Sequence, residues 1–452
     1  MSLTNKSNIF FLGTVIVALI YIASCEVLTW GIYLLPIVYA IFLPIYSKKL
    51  FVNGKISFSV SALLIMYWIR LVFLPVFAYS RSNSLNIDYS LPILLTIYEF
   101  VVVSFFVLFY KFKFSYSKKI SLKGSPKVYI LYGLIALITF VFFARGLGIY
   151  DLFFKEINTS ERDGDIINLN VLFIRQIVDS GILFTYLLIA YHYSKKYESN
   201  QKSLYFKYVL LISLLFLSII TGERRTSILY KAFAITCILI DIFPTQKKKV
   251  LKYVITTSLV VLCMMTIYKS YNAYLYDSYW VALNSKSNSE ALGGEVLDSY
   301  FFGLNTIYKN IEFINSASLS LSNLFFDFFR SIFGVHFLLK DFGFTTTQLY
   351  NLSIYSGEQT SGFLFSSISY GYAYLGLFLA PLIPLMNVYG MIIFEKLLHK
   401  TSSIEMKYLY AVIFLRLGYG LFDNYAPLIN MITQILFMYG SFYLIAKLCY
   451  RK

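Results

Sequence analysis

Charge is what this sequence has least of. Only 14% of its 452 residues are Asp, Glu, Lys or Arg, against about 25% in a soluble chain. With 58% hydrophobic residues and a mean hydropathy of +0.68, too little polar surface exists to cover a soluble fold. The apolar runs recur from residue 9 to residue 448, which also excludes a string of independent soluble domains. Cysteine is scarce as well: Cys25, Cys237, Cys263 and Cys449 lie in or beside apolar runs, with no C-x-x-C spacing. That pattern is neither a disulfide framework nor a zinc site. Histidine is limited to His192, His336 and His399, and no H-E-x-x-H, calcium loop or P-loop occurs. Metal and nucleotide chemistry therefore have no support, and no cofactor is expected. The net charge of +16 does not point to nucleic acid, because the lysines are segregated by position in the manner of a membrane topology signal.

What is present is a series of apolar segments. About 20 apolar residues cross a bilayer as a helix. Candidate spans lie at about 9–24, 27–46, 57–79, 91–110, 128–146, 168–191, 206–221, 227–244, 250–269, 362–394, 408–423 and 427–448, so the chain reads as an all-α, polytopic integral membrane protein with about twelve transmembrane helices. Ile22-Ala23-Ser24-Cys25 has the look of a lipoprotein processing box, yet another span follows at once. We read the run before it as a first transmembrane helix. With the N-terminus inside, the inner segments hold Lys6, then Lys48, Lys49 and Lys55, then Lys111 to Lys127, Lys195 to Lys207, Lys247 to Lys252, Lys396 to Lys407, and finally Lys447, Arg451 and Lys452. This lysine placement favours one crossing over 362–394, despite Pro381 and Pro384, and puts both termini in the cytoplasm.

The other face carries most of the acidic loop residues and six arginines, three more lie inside spans, and among inner positions only Arg451 is arginine. Arginine presents a planar fork matched to phosphate, so its bias toward the outer face suggests a phosphate-bearing ligand there. The chain divides into residues 1–269 with spans one to nine, a large outer loop over 270–361, and 362–452 with the last three spans. The loop, roughly ninety residues, is far longer than an ordinary connection. Within it Leu321, Leu324, Phe325, Phe328, Ile332 and Leu339 recur at helical spacing, with Asn323, Asp327, Arg330, Ser331 and Gly334 on the other side. Such a helix lies at the membrane interface, its apolar face toward lipid or the bundle. A loop of this kind suggests a cover over an outward-facing site. Helix pattern does not repeat between the halves, which counts against an inverted-repeat transporter.

Ionisable residues inside spans are costly, so each needs a partner or a wet cavity. Arg70 and Glu99 lie mid-span on the third and fourth segments and can pair. Arg175 and Asp179, at i,i+4 on the sixth, share a face. Arg416 is mid-span on the eleventh, and its nearest acid, Asp423, is two turns away, which makes Arg416 an anion-ligand candidate. The densest polar cluster is Thr221-Gly222-Glu223-Arg224-Arg225-Thr226-Ser227. Gly222 can end one helix and Thr226 or Ser227 can cap the next. Arg224 and Arg225 at that helix start suit a phosphate or diphosphate. His336 is the one imidazole on the outer side and so a candidate general base, although a surface histidine is the plainer reading.

The turn Gly222-Glu223-Arg224-Arg225-Thr226-Ser227, the large outer loop before the last three spans, and Ser367–Met386 (SISYGYAYLGLFLAPLIPLM) together resemble the O-antigen and capsular polysaccharide polymerases, the oligosaccharide repeat-unit polymerases of bacterial envelopes. The resemblance implies a glycosyltransferase at the outer face of the cytoplasmic (inner) membrane. An oligosaccharide on a polyprenyl diphosphate is the donor and a hydroxyl of a second lipid-linked unit the acceptor. A chain-length regulator protein is an implied partner. Arg224, Arg225 and Arg416, with Arg70, Arg175 and the outer-loop Arg330, are candidates to hold the departing diphosphate without a metal. His336, Glu223 and Asp423 are the candidates for the base. The rival readings are a lipid-linked oligosaccharide flippase, against which the long loop argues, and an O-antigen ligase, which would share layout and mechanism and differ in acceptor.

Overall fold

The computed structural model describes residues 3–24, 30–52, 55–79, 88–115, 120–144, 169–218, 226–274, 294–357, 360 and 362–450. Apart from a two-residue antiparallel ladder, Phe51–Val52 with Lys55–Ile56, the described residues outside turns and loops are helical. In chain order the α-helices are α1 Leu3–Ala23, α2 Leu34–Lys49, α3 Phe58–Trp68, α4 Ser90–Phe109, α5 Pro126–Thr139, α6 Leu169–Asn200, α7 Ser203–Ser218, α8 Thr226–Ile242 and α9 Lys247–Tyr274. They continue as α10 Gly294–Phe301, α11 Leu304–Ser316, α12 Leu321–Ser331, α13 Val335–Leu339, α14 Thr346–Ile354, α15 Ser367–Leu379, α16 Leu382–Lys400, α17 Ile404–Tyr419 and α18 Tyr425–Tyr450.

Among the described residues, five helices are long and apolar enough to cross a membrane: Gly31–Lys49, Phe58–Phe77, Ser90–Phe109, Leu382–Lys400 and Tyr425–Tyr450. A sixth is reached if Ile228–Ile242 and Pro244–Met264, bent by 119°, form one broken span. Shorter apolar helices occur at Asn8–Ala23, Pro126–Phe142 and Ser203–Leu217. These helices fit a multi-pass membrane protein. Several turn large apolar side chains outward, with Phe109 76%, Phe142 73% and Ile41 66% exposed, as lipid-facing surfaces do.

The expected single crossing over 362–394 is not one helix. Within α15, Gly376 has φ +73° and ψ 178°, a region open essentially to glycine alone. The chain folds back there until a Cβ on Gly371 would stand 2.0 Å from the Ala380 carbonyl oxygen. Lysine placement reports on which side a loop lies; it does not report whether the backbone between two loops is straight.

The chain forms two compact units. One comprises residues 1–114, 286–395 and 416–431; the other comprises 115–285, 396–415 and 432–452. In the first, residues 294–357 of the expected outer loop are a run of short helices. They pack onto membrane helices through Phe313, Tyr350, Phe365, Tyr370, Ile383 and Tyr425, and through Leu95, Ile307, Ile311, Ile368 and Ala380. In the second, Phe184 stacks on Tyr439 at 4.7 Å and on Tyr129 at 4.9 Å between ring centroids. Glu405 closes the start of α5, accepting from Lys123 N at 2.8 Å, Gly124 N at 3.0 Å and Tyr129 Oη at 2.8 Å. A carboxylate there satisfies backbone donors that no helical turn reaches. Glu395 does the same in the first unit, taking Phe58 N at 2.5 Å and Ser59 N at 3.0 Å at the start of α3.

Candidate functional site

The helix expected over 408–423 ends earlier, at Tyr419, so Asp423 lies in the turn leading into α18. Hydrogen bonds hold that turn from both sides. Ser367 N donates to Phe422 O at 2.6 Å and Asn424 N to Phe365 O at 3.1 Å. The Asn387 side chain donates to Leu421 O at 3.2 Å and to Asp423 O at 3.1 Å. Asn424 donates from its side chain to Thr347 Oγ1 at 2.9 Å, which ties the turn to α14. The turn is thus fixed between the backbone before α15 and the short-helix segment.

This geometry brings two sequence candidates together. Arg416 Nη2 stands 3.5 Å from Asp423 Oδ2, a charge contact too long for a strong hydrogen bond. The Asp423 side chain is 2% exposed and that of Arg416 14%. Burial pushes the Asp423 carboxyl up to about 7, against the opposing pull of Arg416 and of the Asn424 backbone. Two turns of helix separated these residues in sequence; termination of α17 at Tyr419 folds the acid back toward the arginine.

Arg70 sits beside the same turn. Its guanidinium lies 4.2 Å from the centre of the Phe422 ring, and Nη1 donates to Glu99 Oε1 at 2.8 Å. Tyr67 donates to the same carboxylate oxygen at 3.1 Å. The expected pairing of Arg70 with Glu99 is therefore present, fully buried. It is carried by a π-helical stretch, Ile69–Phe73, that continues α3; widened turns of this kind are frequent at functional sites.

Arg330 is elsewhere in the first unit. It is 5% exposed, donates from Nη1 to the Gly343 carbonyl and lies over the Phe326 ring. One turn away, Asp327 accepts from Thr346 N at 3.0 Å and from Tyr370 Oη at 2.7 Å. Tyr370 is 3.3 Å from Tyr425 Oη, which donates to Leu324 O at 2.6 Å. Burial raises the Asp327 carboxyl above the ordinary aspartate range, while Thr346, Tyr370 and Arg330 pull it down. This network of Asp327, Tyr370 and Tyr425 was not legible in sequence. Asp327 was on a recognised polar face, but two tyrosines among 41 carry no signal of their own.

His336 is half-buried on α13, its ring 5.5 Å from that of Phe337. Glu223, Arg224 and Arg225 lie outside the described residues, as does the side chain of Arg175. Among the described residues, no group of three or more His, Cys, Asp or Glu side chains could hold a metal ion. Compared with protein-family models, with curated proteins and with solved structures, the chain finds no match.

Proposed function

We propose that this chain polymerises lipid-linked oligosaccharide repeat units at the outer face of a bacterial cytoplasmic membrane, by glycosyl transfer from a polyprenyl-diphosphate donor. The observation that supports this reading best is the Arg416–Asp423 contact in the turn before α18, which Asn424 ties to Thr347 of α14. Glycosyl transfer of this kind needs a base for the acceptor hydroxyl and a cation for the leaving diphosphate. A carboxyl with a pKa near 7 can accept the hydroxyl proton at neutral pH and release it afterwards. As the new C–O bond forms at the anomeric carbon, the bond to diphosphate breaks and its electron pair leaves with the lipid carrier. Arg416, the more exposed of the two groups, would take up that charge. The Arg224–Arg225 pair fits the same role from the sequence.

The test is analysis of surface polysaccharide and lipid-linked intermediates from a deletion strain, complemented with wild type, Asp423→Asn or Arg416→Ala. Polymerase action predicts surface material reduced to one repeat unit in the deletion strain, restored by wild type and by neither variant. Lipid-linked single units confined to the inner leaflet would instead mean a flippase. Full-length polymer left on its lipid carrier would mean a ligase.

A further inference from the structure

Helix α12 is built inside out. Its buried residues are Asp327, Arg330 and Ser331, whereas Leu321 is 56%, Phe325 61%, Phe328 41% and Phe329 51% exposed. Beyond it Leu338 and Phe342 are 73% and 78% exposed. A helix in water does the reverse, and large contiguous apolar surface on a protein marks a place that something apolar covers.

The position of α12 says what that is. It is fastened to the start of α15, by Tyr370 to Asp327, and to the start of the candidate membrane helix α18, by its first residue Tyr425 to the Leu324 carbonyl. Helix α18 has 26 residues, about 39 Å at 1.5 Å per residue, against a hydrocarbon core of about 30 Å. Its first residue therefore lies within about 10 Å of the hydrocarbon boundary. A helix tied to that residue is at the depth where interfacial helices sink one apolar face among acyl chains.

We propose that α12 and the segment through Phe342 form a lipid-embedded anchor, with Leu321, Phe325, Phe328, Phe329, Leu338 and Phe342 in the membrane leaflet on the side where α18 begins. Tyr370 on Asp327 and Tyr425 on the Leu324 carbonyl join this anchor to the starts of α15 and α18, and the buried Arg330–Gly343 contact ties its two ends together. The anchor rests on the membrane character of the chain and not on its chemistry, so it stands or falls apart from the polymerase reading.

The test is fluorescence of an environment-sensitive probe on single cysteines in the full-length protein, with its four native cysteines replaced, in phosphatidylethanolamine/phosphatidylglycerol vesicles. Probes at Phe325→Cys and Leu338→Cys should emit to the blue, lose most of their intensity to spin-labelled lipid, and resist iodide. A probe at Ser356→Cys, exposed just past α14, should show the opposite. Iodide quenching at Phe325→Cys and Leu338→Cys equal to that at Ser356→Cys would overturn the anchor. Protection from both quenchers, with cross-linking to a second protein chain, would overturn it in favour of a protein interface. Should Phe325→Cys fail to fold, Phe342→Cys, beyond the helix, reads the same surface.

Discussion

At the scale of single residues, the buried charges carry the distinction between holding the protein together and acting on a substrate. Removing one partner of a buried ion pair strands the other, at about 3–5 kcal/mol, whereas replacing both with apolar groups is often near neutral. Glu99→Leu should therefore lower thermal stability in detergent markedly, and Arg70→Leu/Glu99→Leu should recover most of it. If Arg70 also meets the diphosphate, the stable double variant will still make no polymer; normal polymer would confine Arg70 to packing. Asp423 gives a second separation. With its carboxyl at about 7, it is protonated at pH 6 and ionised at pH 8. A base must be ionised, so glycosyl transfer by the purified protein should rise with pH through about 7. Asp423→Asn should be inactive at both values, and an unchanged pH profile in that variant would remove Asp423 from the reaction. The same shift acts oppositely on stability: the folded state holds this proton more tightly than the unfolded chain, so that contribution is lost as pH rises through about 7.

At the scale of elements, the break inside α15 and the inverted helix α12 decide the architecture around the site. Gly376 occupies a conformation that costs other residues about 1–3 kcal/mol, and Gly371 lies against the Ala380 carbonyl. Gly376→Ala should reduce stability by about that amount, read as a lower unfolding temperature in detergent. Gly371→Ala should cost more, because its obstacle is backbone and cannot rotate away. Both glycines were visible in the segment Ser367–Met386, but their separate duties were not: one permits a dihedral and the other a contact. Tyr370→Phe removes one donor to buried Asp327, a loss of about 1–3 kcal/mol when a buried acceptor loses its partner. It should loosen the 320–346 region first, seen as faster amide exchange there than in α18.

At the scale of the whole molecule, the sidedness of the helices is the property on which the functional reading depends. Lysine-rich segments flank the 270–361 loop on both sides along the chain, so the loop should face outward. A cysteine at Ser356, in a chain free of native cysteines, should react with a membrane-impermeant maleimide in intact cells. Labelling only after the inner face is opened would invert the topology and place the Arg416–Asp423 turn on the cytoplasmic side, where polymerisation at the outer face could not occur.

Composition and periodicity alone determined the all-helical, membrane-type class, the amphipathic character of residues 321–331 and the need of Arg70 and Glu99 for partners. Each is a local or nearly local consequence of apolar runs, 3.6-residue spacing and the expense of a lone charge in hydrocarbon. Only the tertiary structure decided that Asp423 folds back on Arg416, that 362–394 is broken at Gly376, and that α12 turns its polar face inward. Those outcomes depend on where a helix stops and on what stands opposite it. A hydrophobic pattern states that a helix has two faces; the partners that meet across space decide which of them is buried.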